Sequence, residues 1–551
     1  MIISYRTRIR GALAGLLAGA VGVCVGFLVA GFTSQVGNPV VAVAEGAIDL
    51  SPPAVKNFAI KEFGSHDKLV LQIGVLIVLA LLCAVIGMAA QRWESAGLIG
   101  FGIFCLVGLV AAGTRPTSTP IDLLPTLAGA AAALFTVSRL VRAAGTIPRI
   151  RPPAADRSAG VAAPGGPPAA AKDDAARGAD RAAVDRPRRT ASLSVTEPPR
   201  RAFMKAGATA AGTAAVAFAA GRLLSERANV TVAEQSLKLP PPAVPARPLP
   251  AGSNLGIPGL ASFVTPNSQF YRVDTAIVLP QIPPSSWQLR IHGMVSRELT
   301  LTFDDLIRRP LIEDWVTLTC VSNPVGGPYI GNAKWLGASL RSLLQQAGIK
   351  AGADQLFCTS FDGFTSGTPV ATAMDGRDAM LAVAMNGKPL PVEHGFPVRS
   401  VVPGLYGYVS ACKWITDIEV TTYRQNQSYW AQRGWFAQAP IKTESRIDVP
   451  SGQSSIKAGR TAIAGVAWAQ HKGIDAVHVR VDRGPWQQAT LATVPDIDTW
   501  RQWVLHWDAT PGNHVIEARA TDATGYTQTA VQEPPEPNGA TGYPIVQVSV
   551  A

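Results

Sequence analysis

Charged residues are scarce in this chain of 551 residues. Aspartate, glutamate, lysine and arginine make up 16% of the sequence, whereas ordinary soluble domains carry about 25%. Aromatic residues are also few, at 7%, while hydrophobic residues reach 47% and the mean hydropathy is +0.18. This balance argues against a wholly soluble protein and indicates membrane-spanning segments.

The basic residues are not distributed as a nucleic-acid-binding surface requires, although the net charge is +11. Many of them stand at the ends of apolar runs and in one linker, where they act as topology signals. We therefore expect no nucleic-acid partner. The sequence also lacks a glycine-rich dinucleotide-binding fingerprint and a Walker motif, so neither type of nucleotide site is predicted.

Cysteine is rare and unclustered. The sequence has six cysteines, with no CxxC pair, no CxxCH haem-attachment motif and no zinc-finger spacing. Three of them lie in apolar runs and are expected to be inert, and the other three are Cys320, Cys358 and Cys412. A disulfide between Cys358 and Cys412 is compatible with the sequence, although nothing requires one.

Four apolar runs lie within residues 1–142, over 9–32, 69–90, 97–112 and 121–141. Their lengths are comparable with the roughly 20 residues that cross a bilayer core. The first run could be a cleaved signal peptide, but its length and the spans that follow favour an anchor. With four spans, the flanking arginines all fall on one side, which the positive-inside rule makes cytoplasmic. We therefore predict a four-helix transmembrane region.

These runs contain no histidine and almost no charge. A haem b within the membrane usually needs axial histidines, and an ion or proton pathway needs ionisable side chains. The membrane region is therefore predicted to serve as an anchor or docking surface.

Residues 143–199 are rich in alanine, proline, glycine, arginine and aspartate. Such a segment cannot bury enough apolar surface to fold, which predicts a disordered cytoplasmic linker. It is followed by Arg200-Arg201-Ala202-Phe203-Met204-Lys205 and a mildly apolar run, which together resemble a twin-arginine export signal. Residues 200–225 are therefore predicted to form a fifth span that delivers the rest of the chain, already folded, to the outer face of the membrane.

The exported half mixes short β-like runs with short helical patterns, including a helix predicted over 336–347, which indicates an α+β domain over residues 240–430. Alternating residues around Trp315 and Thr317 predict a strand that ends at Cys320. Asparagine, prolines and glycines follow, and they predict a loop. A thiol at this place suits a metal ligand or a nucleophile, but spacing alone leaves a buried inert thiol the commoner explanation.

A second block, residues 386–399, reads Asn-Gly-Lys-Pro-Leu-Pro-Val-Glu-His-Gly-Phe-Pro-Val-Arg. It groups His394 and Arg399, with Lys413 fourteen residues further on. Guanidinium and ammonium groups on a rigid backbone favour an anion cradle, although a solvated basic loop is the alternative. A phosphate cradle together with one thiol points to a phosphorylated cofactor that carries a soft metal.

Residues 255–425, through these blocks in this order, resemble the sulfite oxidase family of molybdenum–pterin enzymes, in a membrane-anchored bacterial member of the actinobacterial type. The resemblance implies a molybdenum–molybdopterin cofactor with Cys320 as the thiolate ligand of the metal. It implies that the cofactor is bound by Tyr271, Arg272, Ser360, Asp362, His394, Arg399, Ser410 and Lys413.

Residues 440–551 alternate apolar and polar residues between turn signals, which predicts an immunoglobulin-like β-sandwich. This segment resembles the C-terminal domain of the same family, which often dimerises, so a homodimer is expected. The complete prediction is a five-span helical anchor, an α+β molybdopterin domain and a C-terminal β-sandwich.

The loop after Cys320 departs from the sulfite-oxidising members of the family, in which arginines bind the substrate anion. Residues 321–329 carry no positive charge, which puts sulfite in doubt. Asn323 and Tyr329 are predicted to act beside Cys320 by orienting a substrate oxygen. Since no haem segment is present, a separate electron carrier, either a cytochrome or a quinone-linked protein, is expected.

The sequence thus predicts a multi-pass membrane protein whose catalytic domain transfers an oxygen atom outside the cytoplasmic membrane. The reaction would be the reduction of a small sulfoxide-like or N-oxide-like compound, or the oxidation of a sulfite-like one. The alternative is a non-catalytic binding or scaffold protein of the envelope that keeps the fold.

Overall fold

The computed structural model describes residues 5–33, 38–52, 67–115, 118–144, 200–227 and 230–551. The predicted linker lies outside these residues, apart from its first two positions. The chain forms two compact units. The first comprises Met1–Val29, Pro52–Val110 and Leu124–Gly221, and the second comprises Ala30–Ser51, Ala111–Leu123 and Arg222–Ala551.

The long helices carry the apolar runs of the sequence. They are α1 (Tyr5–Thr33), α3 (Asp67–Ala90), α4 (Glu94–Gly113), α5 (Leu124–Ala144) and α6 (Arg200–Arg227), with the shorter α2 (Pro39–Leu50) after α1. In the described residues, five helices are long and apolar enough to cross a membrane. This agrees with the predicted number of spans. Helix α2 was not predicted, because its 12 residues are too few to span a bilayer.

Glycines allow close contact between the helices of the first unit. A Cβ atom on Gly15 of α1 would lie 1.9 Å from the carbonyl oxygen of Cys83 in α3, and one on Gly22 would lie 2.9 Å from that of Gly129 in α5. Backbones pack this closely only where the contact residue is very small. The glycine content of these runs therefore serves helix packing.

The second unit contains the predicted α+β domain. Its strands are β1 (Gln288–Gly293), β2 (Leu299–Thr302), β3 (Leu311–Thr319), β4 (Ile330–Ser339), β5 (Gln355–Ser360), β6 (Thr365–Pro369), β7 (Met380–Met385), β8 (Lys388–Pro389), β9 (Arg399–Val401) and β10 (Ile415–Thr421). Its helices are α7 (Thr231–Ser236), α8 (Phe303–Ile307), α9 (Leu340–Ala347), α10 (Val370–Met374) and α11 (Gly407–Ser410). One sheet has the order β2-β1-β10-β5-β6, and the other has β3-β4-β7-β8 with β9 paired to β7.

The helix predicted over 336–347 begins later than expected. Residues 336–339 belong to β4 and pair with β7, and α9 starts at Leu340. Ser339 accepts a hydrogen bond from the backbone of Ser342 at 3.3 Å and so caps the helix. Pairing with β7 outweighed the apolar spacing of Leu336.

The C-terminal part of the second unit is a pair of sheets. Its strands are β11 (Glu444–Val449), β12 (Ser455–Ile456), β13 (Gly459–Trp468), β14 (Ile474–Val481), β15 (Gln487–Gln488), β16 (Thr490–Leu491), β17 (Arg501–Ala509), β18 (Gly512–Asp522) and β19 (Ile545–Val550). The sheets have the orders β11-β13-β17-β16 and β12-β19-β18-β14-β15. They share a buried core that includes Ile463, Trp503, Val477 and Ile516. The alternating sequence pattern correctly predicted strands here.

The two parts of the second unit share a larger core. Trp468 and Trp500 from the C-terminal part belong to the same buried cluster as Leu289, Leu343 and Val409. The indole of Trp500 donates a hydrogen bond to the carbonyl of Phe263 at 2.9 Å. This continuous packing brings C-terminal residues close to the loop between β3 and β4.

Candidate active site

Cys320 lies directly after β3, at the start of the loop that leads to β4. Its backbone N–H donates to the carbonyl of Tyr329 at 2.9 Å, so the two ends of the loop are held together. The thiol is 9% exposed, and its sulfur lies 2.9 Å from the hydroxyl of Ser322. Burial raises the pKa of the thiol, while Ser322 and Lys413 act in the opposite direction.

Asn323 holds the same loop from within. Its side-chain oxygen accepts the backbone N–H of Tyr329 at 2.8 Å, which occupies the amide oxygen with a structural contact. Its Nδ2 is buried and has no hydrogen-bond partner among the described residues. The predicted substrate-orienting roles of Asn323 and Tyr329 stay predictions, and Nδ2 is the atom of Asn323 that could serve one.

Gly395 brings the two cationic side chains of the basic block together. Its φ of +112° is in the region that favours glycine. A Cβ there would lie 3.0 Å from the Cβ of Arg399 and 3.2 Å from the Cβ of Lys413. The residue type at 395 therefore decides how closely this backbone approaches both cations.

Arg399 is a buried cation that contacts carbonyls. It is 5% exposed, and its guanidinium donates to the carbonyls of His394 at 3.1 Å and Ala411 at 3.3 Å. It also lies 5.0 Å from the centre of the Trp335 ring. Burial lowers the pKa of Arg399 to about 10. Within the described residues it forms no ion pair, and a buried charge of this kind favours an anionic ligand.

Lys413 is also buried, but it has an acidic partner. Its ammonium lies 2.7 Å from the carboxylate of Asp274 and donates to the carbonyl of Glu393 at 3.1 Å. Asp274 also accepts a hydrogen bond from Arg272 at 2.8 Å. Burial lowers the pKa of Lys413 to about 8, and Asp274 acts against this shift. Arg272 and Lys413 thus share the carboxylate of Asp274.

His394 is held as a neutral ring. Its Nε2 lies 3.0 Å from the carbonyl of Asn267, and since a carbonyl only accepts, this nitrogen carries the proton. Burial lowers the pKa of His394 to about 4. Phe270 packs against the ring at 5.6 Å in an edge-on arrangement.

Tyr271 lies near Cys320 on the other side of the site. Burial, and then the charge of Cys320, raise the pKa of its hydroxyl. The hydroxyl is 3.7 Å from where a Cβ on Gly407 would stand. The structure therefore brings Tyr271 to the thiol loop, whereas its sequence neighbour Arg272 faces Asp274.

Of the remaining predicted cofactor residues, Ser360 and Ser410 are buried and Asp362 is half-buried, and they differ in what their side chains contact. The Ser410 hydroxyl donates back to the carbonyls of Leu405 and Tyr406, at 3.0 and 3.2 Å, so it stabilises α11. Ser360 is the last residue of β5, and Asp362 lies in the turn that follows. Burial raises the pKa of Asp362, while Lys413 lowers it, which places this carboxyl near the basic residues.

Asp274, Tyr406 and Arg446 were not predicted from the sequence as site residues. Arg446 of β11 donates to the carbonyl of Gly327 at 3.3 Å, so a C-terminal residue contacts the thiol loop. Its guanidinium also binds the Asp448 carboxylate, with 2.6 Å between Nε and Oδ1. The spacing of Arg446 and Asp448 on one strand hinted at this pair, but nothing in the sequence indicated the contact with residue 327.

Comparisons with known proteins show what the chain is related to. The family described as "Oxidoreductase molybdopterin binding domain" matches residues 276–430. Mitochondrial sulfite oxidase of Rattus norvegicus is 31% identical over 292 residues, which cover 44% of this chain and 53% of that protein. The uncharacterized oxidoreductase YuiH of Bacillus subtilis is 31% identical over 151 residues, 27% of this chain and 73% of that protein.

A solved structure, the sulfane dehydrogenase SoxCD from Paracoccus pantotrophus, matches 52% of this chain and 84% of that one, with 23% identity and a TM-score of 0.46. The chain spans about half the length of the sulfite oxidases that it matches. It belongs to the sulfite oxidase family of molybdopterin-binding oxidoreductases. The predictions of an enzyme and of a molybdenum–molybdopterin cofactor are thereby confirmed, and the non-catalytic alternative is set aside.

The residues around Cys320 fit this cofactor. In the part of the chain that the structure describes, no group of three or more histidine, cysteine, aspartate or glutamate side chains could hold a metal ion. A metal at Cys320 therefore needs further ligands from its own organic cofactor. Arg399, which has no ion pair among the described residues, and Lys413, whose partner Asp274 also binds Arg272, supply the positive charge that a phosphate group requires.

Proposed function

We propose that this enzyme is anchored in the cytoplasmic membrane and transfers an oxygen atom to or from a small neutral molecule, with a sulfoxide or N-oxide as the type of substrate. The charge around residues 320–329 carries the proposal. Arg446 reaches the loop through Gly327, but Asp448 neutralises it. The loop sequence itself has no positive charge. An oxyanion such as sulfite therefore gains little binding free energy from this loop, and a neutral polar molecule loses little by comparison.

The proposed cofactor contacts follow from the buried groups. Cys320 supplies one soft ligand for the metal, while Arg399 and Lys413 bind the phosphate of the pterin. His394 Nε2 already donates to Asn267, so the ring contacts phosphate through Nδ1 after gaining a proton, which an anion favours. When bound, the cofactor supplies the two-electron redox change.

The other predicted residues hold the cofactor and the substrate in place. Tyr271 closes the site beside the thiol, and the turn of Ser360 and Asp362 lies behind Lys413. Arg272 acts through Asp274, and Ser410 acts by fixing α11. Asn323 Nδ2 and the Tyr329 hydroxyl orient the substrate oxygen.

The membrane side and the electron partner are also part of the proposal. The five apolar helices of the described residues and the arginine pair at the start of α6 support an anchor with residues 226–551 outside the cytoplasm. Electrons pass to or from a cytochrome or a quinone-linked carrier. The paired C-terminal sheets form an immunoglobulin-like domain that supports a homodimer.

The test uses the full-length chain, purified with its cofactor. Molybdenum content is measured first, and then the rates of sulfoxide and N-oxide reduction by a reduced viologen dye and of sulfite oxidation by ferricyanide. We expect one molybdenum per chain and turnover of a neutral compound. Faster oxidation of sulfite would overturn the substrate class, and would favour the activity after which the 31% identical relatives are named.

Cys320→Ser tests the metal ligand, with Cys358→Ser as the matched control because Cys358 is also a buried free thiol. We expect the first variant to lose turnover and keep its unfolding temperature, and the second to retain turnover. An active Cys320→Ser enzyme would refute the ligand assignment.

A further inference from the structure

Glu444, the first residue of β11, is a buried carboxyl group outside the site described above. It is 4% exposed, and its Oε1 has no hydrogen-bond partner among the described residues. Buried polar atoms are nearly always paired, so an unpaired carboxyl oxygen points to an unseen partner or to a function.

A second unpaired polar atom lies opposite Glu444. Trp468 of β13 is its direct partner across the strand pair, and the Nε1 of this buried indole also lacks a hydrogen-bond partner in the described part of the chain. Directly paired residues share a face of the sheet. An unpaired acceptor facing an unpaired donor is the kind of polar site where a buried water is held.

Tyr406 connects Glu444 to the active site. Its hydroxyl is buried, and the charges of both Glu444 and Cys320 raise its pKa, after burial itself. The hydroxyl is also tightly fixed, because the backbone N–H of Lys442 lies 3.5 Å away and a Cβ on Gly539 would come within 2.5 Å. The next residue, Gly407, lies beside the residue that precedes Cys320, because a Cβ on it would stand 3.6 Å from the carbonyl of Thr319. Tyr406 therefore lies near both the end of β3 and the segment that leads into β11.

Lys442 connects Glu444 to the surface. Its ammonium donates to the Asn538 side chain at 2.9 Å and to the carbonyl of Gly539 at 2.6 Å. Burial lowers the pKa of Lys442, while Glu444 and the exposed Glu533 oppose the shift. Lys442, two residues before Glu444, therefore leads from the buried carboxyl toward the loop of Asn538 and Gly539.

Oxygen-atom transfer needs such a route, because its balance includes protons. In the oxidising direction a substrate and one water give the oxygenated product, two protons and two electrons. In the reducing direction the oxygenated substrate takes up two protons and two electrons and releases water. A one-electron carrier protein exchanges the electrons in two steps. The side chains of Ser322 and Asn323 in the thiol loop carry no ionisable group, so another group has to carry the protons.

We propose that Glu444 carries these protons between the active site and solvent, by way of Tyr406 and a water held against Trp468 on the inner side and of Lys442 on the outer side. This inference rests on the proposed oxygen-atom transfer. It gives the paired sheets a part in the reaction, because β11 and β13 supply the buried carboxyl and its indole neighbour.

The acidity of Glu444 suits this role. Burial raises the pKa of the carboxyl to about 8, and Lys442 opposes the shift. Near neutral pH the group is protonated, so it can donate to the site and regain a proton from solvent. A proton-transfer group works best when its pKa lies close to the working pH.

The test compares full-length, cofactor-loaded wild type with Glu444→Gln, Glu444→Asp and, as a control, Glu298→Gln, which removes an exposed carboxylate outside the route. Infrared difference spectra between neutral and alkaline pH report the carbonyl band of a protonated buried carboxyl group. Dye-coupled turnover of a neutral sulfoxide or N-oxide is measured across the same pH range, with molybdenum content and unfolding temperature for each variant.

We expect the infrared band in wild type and in Glu298→Gln, and its loss in Glu444→Gln. Turnover by Glu444→Gln should fall about ten- to a hundredfold without a matching rise in KM. Its pH profile should lose the step near the pKa of Glu444. Glu444→Asp should recover part of the rate.

A folded, molybdenum-loaded Glu444→Gln with the wild-type rate and pH profile would overturn the proton role. If Glu444→Gln fails to fold, an absent infrared band in wild type overturns it instead. A wild-type enzyme with the band but no turnover of these compounds would count against the proposed function alone.

Discussion

Gly395 and Lys413 are in such close contact that a Cβ on the glycine would stand 3.2 Å from both Cβ and Cγ of the lysine. The same hypothetical atom would lie 3.0 Å from the Cβ of Arg399. One backbone position therefore sets the distance between the two buried cations of the cofactor site.

Gly395→Ala should weaken cofactor binding because the added methyl group displaces both cations. Gly387 is the matched control, since its φ is +75° and a Cβ there would meet nothing within 4 Å. Both variants should be destabilised by about 1–2 kcal/mol, because an alanine at positive φ is strained. We expect molybdenum loss in Gly395→Ala alone, measured by metal analysis. Equal metal content in the two variants would show that the close contact of Gly395 with the two cations does not affect cofactor binding.

Asp274→Asn should affect Lys413 directly. The carboxylate 2.7 Å from the ammonium opposes the lowering of the Lys413 pKa, so its removal lowers that pKa further and leaves a buried charge unpaired. Such losses cost about 3–5 kcal/mol. Chemical unfolding of the cofactor-free protein measures the stability, and metal analysis measures loading.

Asp417→Asn is a suitable control for Asp274→Asn, because Asp417 pairs with His292 at a half-exposed position. The control should change the free energy of unfolding far less. If the two variants lost equal free energy of unfolding, the ion pair of Asp274 with Lys413 would contribute no more to stability than the half-exposed pair.

The sequence predicted those parts of the site that depend on local pattern. Alternation led to Cys320 at the end of β3, turn residues predicted the loop, and the block at residues 386–399 with Lys413 indicated an anion cradle. These features depend on neighbours within a few residues, for which spacing and turn chemistry are informative. The apolar runs likewise predicted five long helices.

Contacts between distant segments could not be predicted. Asp274 and Lys413 are separated by 139 positions, and Arg446 reaches Gly327 across 119. The first pair depends on how the segment before β1 packs against the segment before β10, and the second depends on how the C-terminal sheets pack on the α+β domain. In the second case, a register change of one residue in β11 would turn Arg446 to the other face. The late start of α9 has a related cause, since pairing of β4 with β7 overrode the local helical pattern.

His394 predicts a pH dependence of stability in the cofactor-free protein. Its pKa is lowered from 6.5 to about 4 by burial. As pH falls from 6.5 toward 4 the unfolded chain binds a proton that the folded chain does not, so the folded state loses about 3 kcal/mol, and the contribution is fully present above pH 6.5. His394→Gln should lack this component when its unfolding free energy is compared with wild type across the range.

His471→Gln controls for a general effect of removing histidine. Hydrogen bonding to Asp498 raises the pKa of His471, so its contribution is present below pH 6.5 and is lost as pH rises through the higher folded value. The two variants should therefore differ from wild type with opposite slopes. Parallel curves would refute the assignment of the acid-sensitive component to His394.

The arginine pair at the start of α6 predicts the route to the outer face of the membrane. Replacing Arg200 and Arg201 with lysines keeps the positive charge but removes the paired guanidinium groups that a twin-arginine signal requires. We expect the second unit to stay inaccessible to protease added outside spheroplasts, whereas Arg222→Lys should leave it accessible. Normal export of the double variant would exclude this route.

Asp448→Asn should change how the site responds to anions. The carboxylate binds the Arg446 guanidinium, with 2.6 Å between Nε and Oδ1, and the guanidinium reaches the thiol loop at Gly327. Removing the negative charge leaves Arg446 uncompensated beside the proposed substrate site. A cation in partly buried surroundings attracts an oxyanion more strongly than it does in water.

We expect sulfite or sulfate to inhibit turnover of the neutral substrate by Asp448→Asn at concentrations about tenfold lower than in wild type, equivalent to about 1.4 kcal/mol. The double variant Asp448→Asn with Arg446→Gln should restore the weak inhibition of wild type, because the added positive charge is then gone. If strong inhibition persisted in the double variant, the anion would bind elsewhere. Arg446 would then have no role in the choice of substrate.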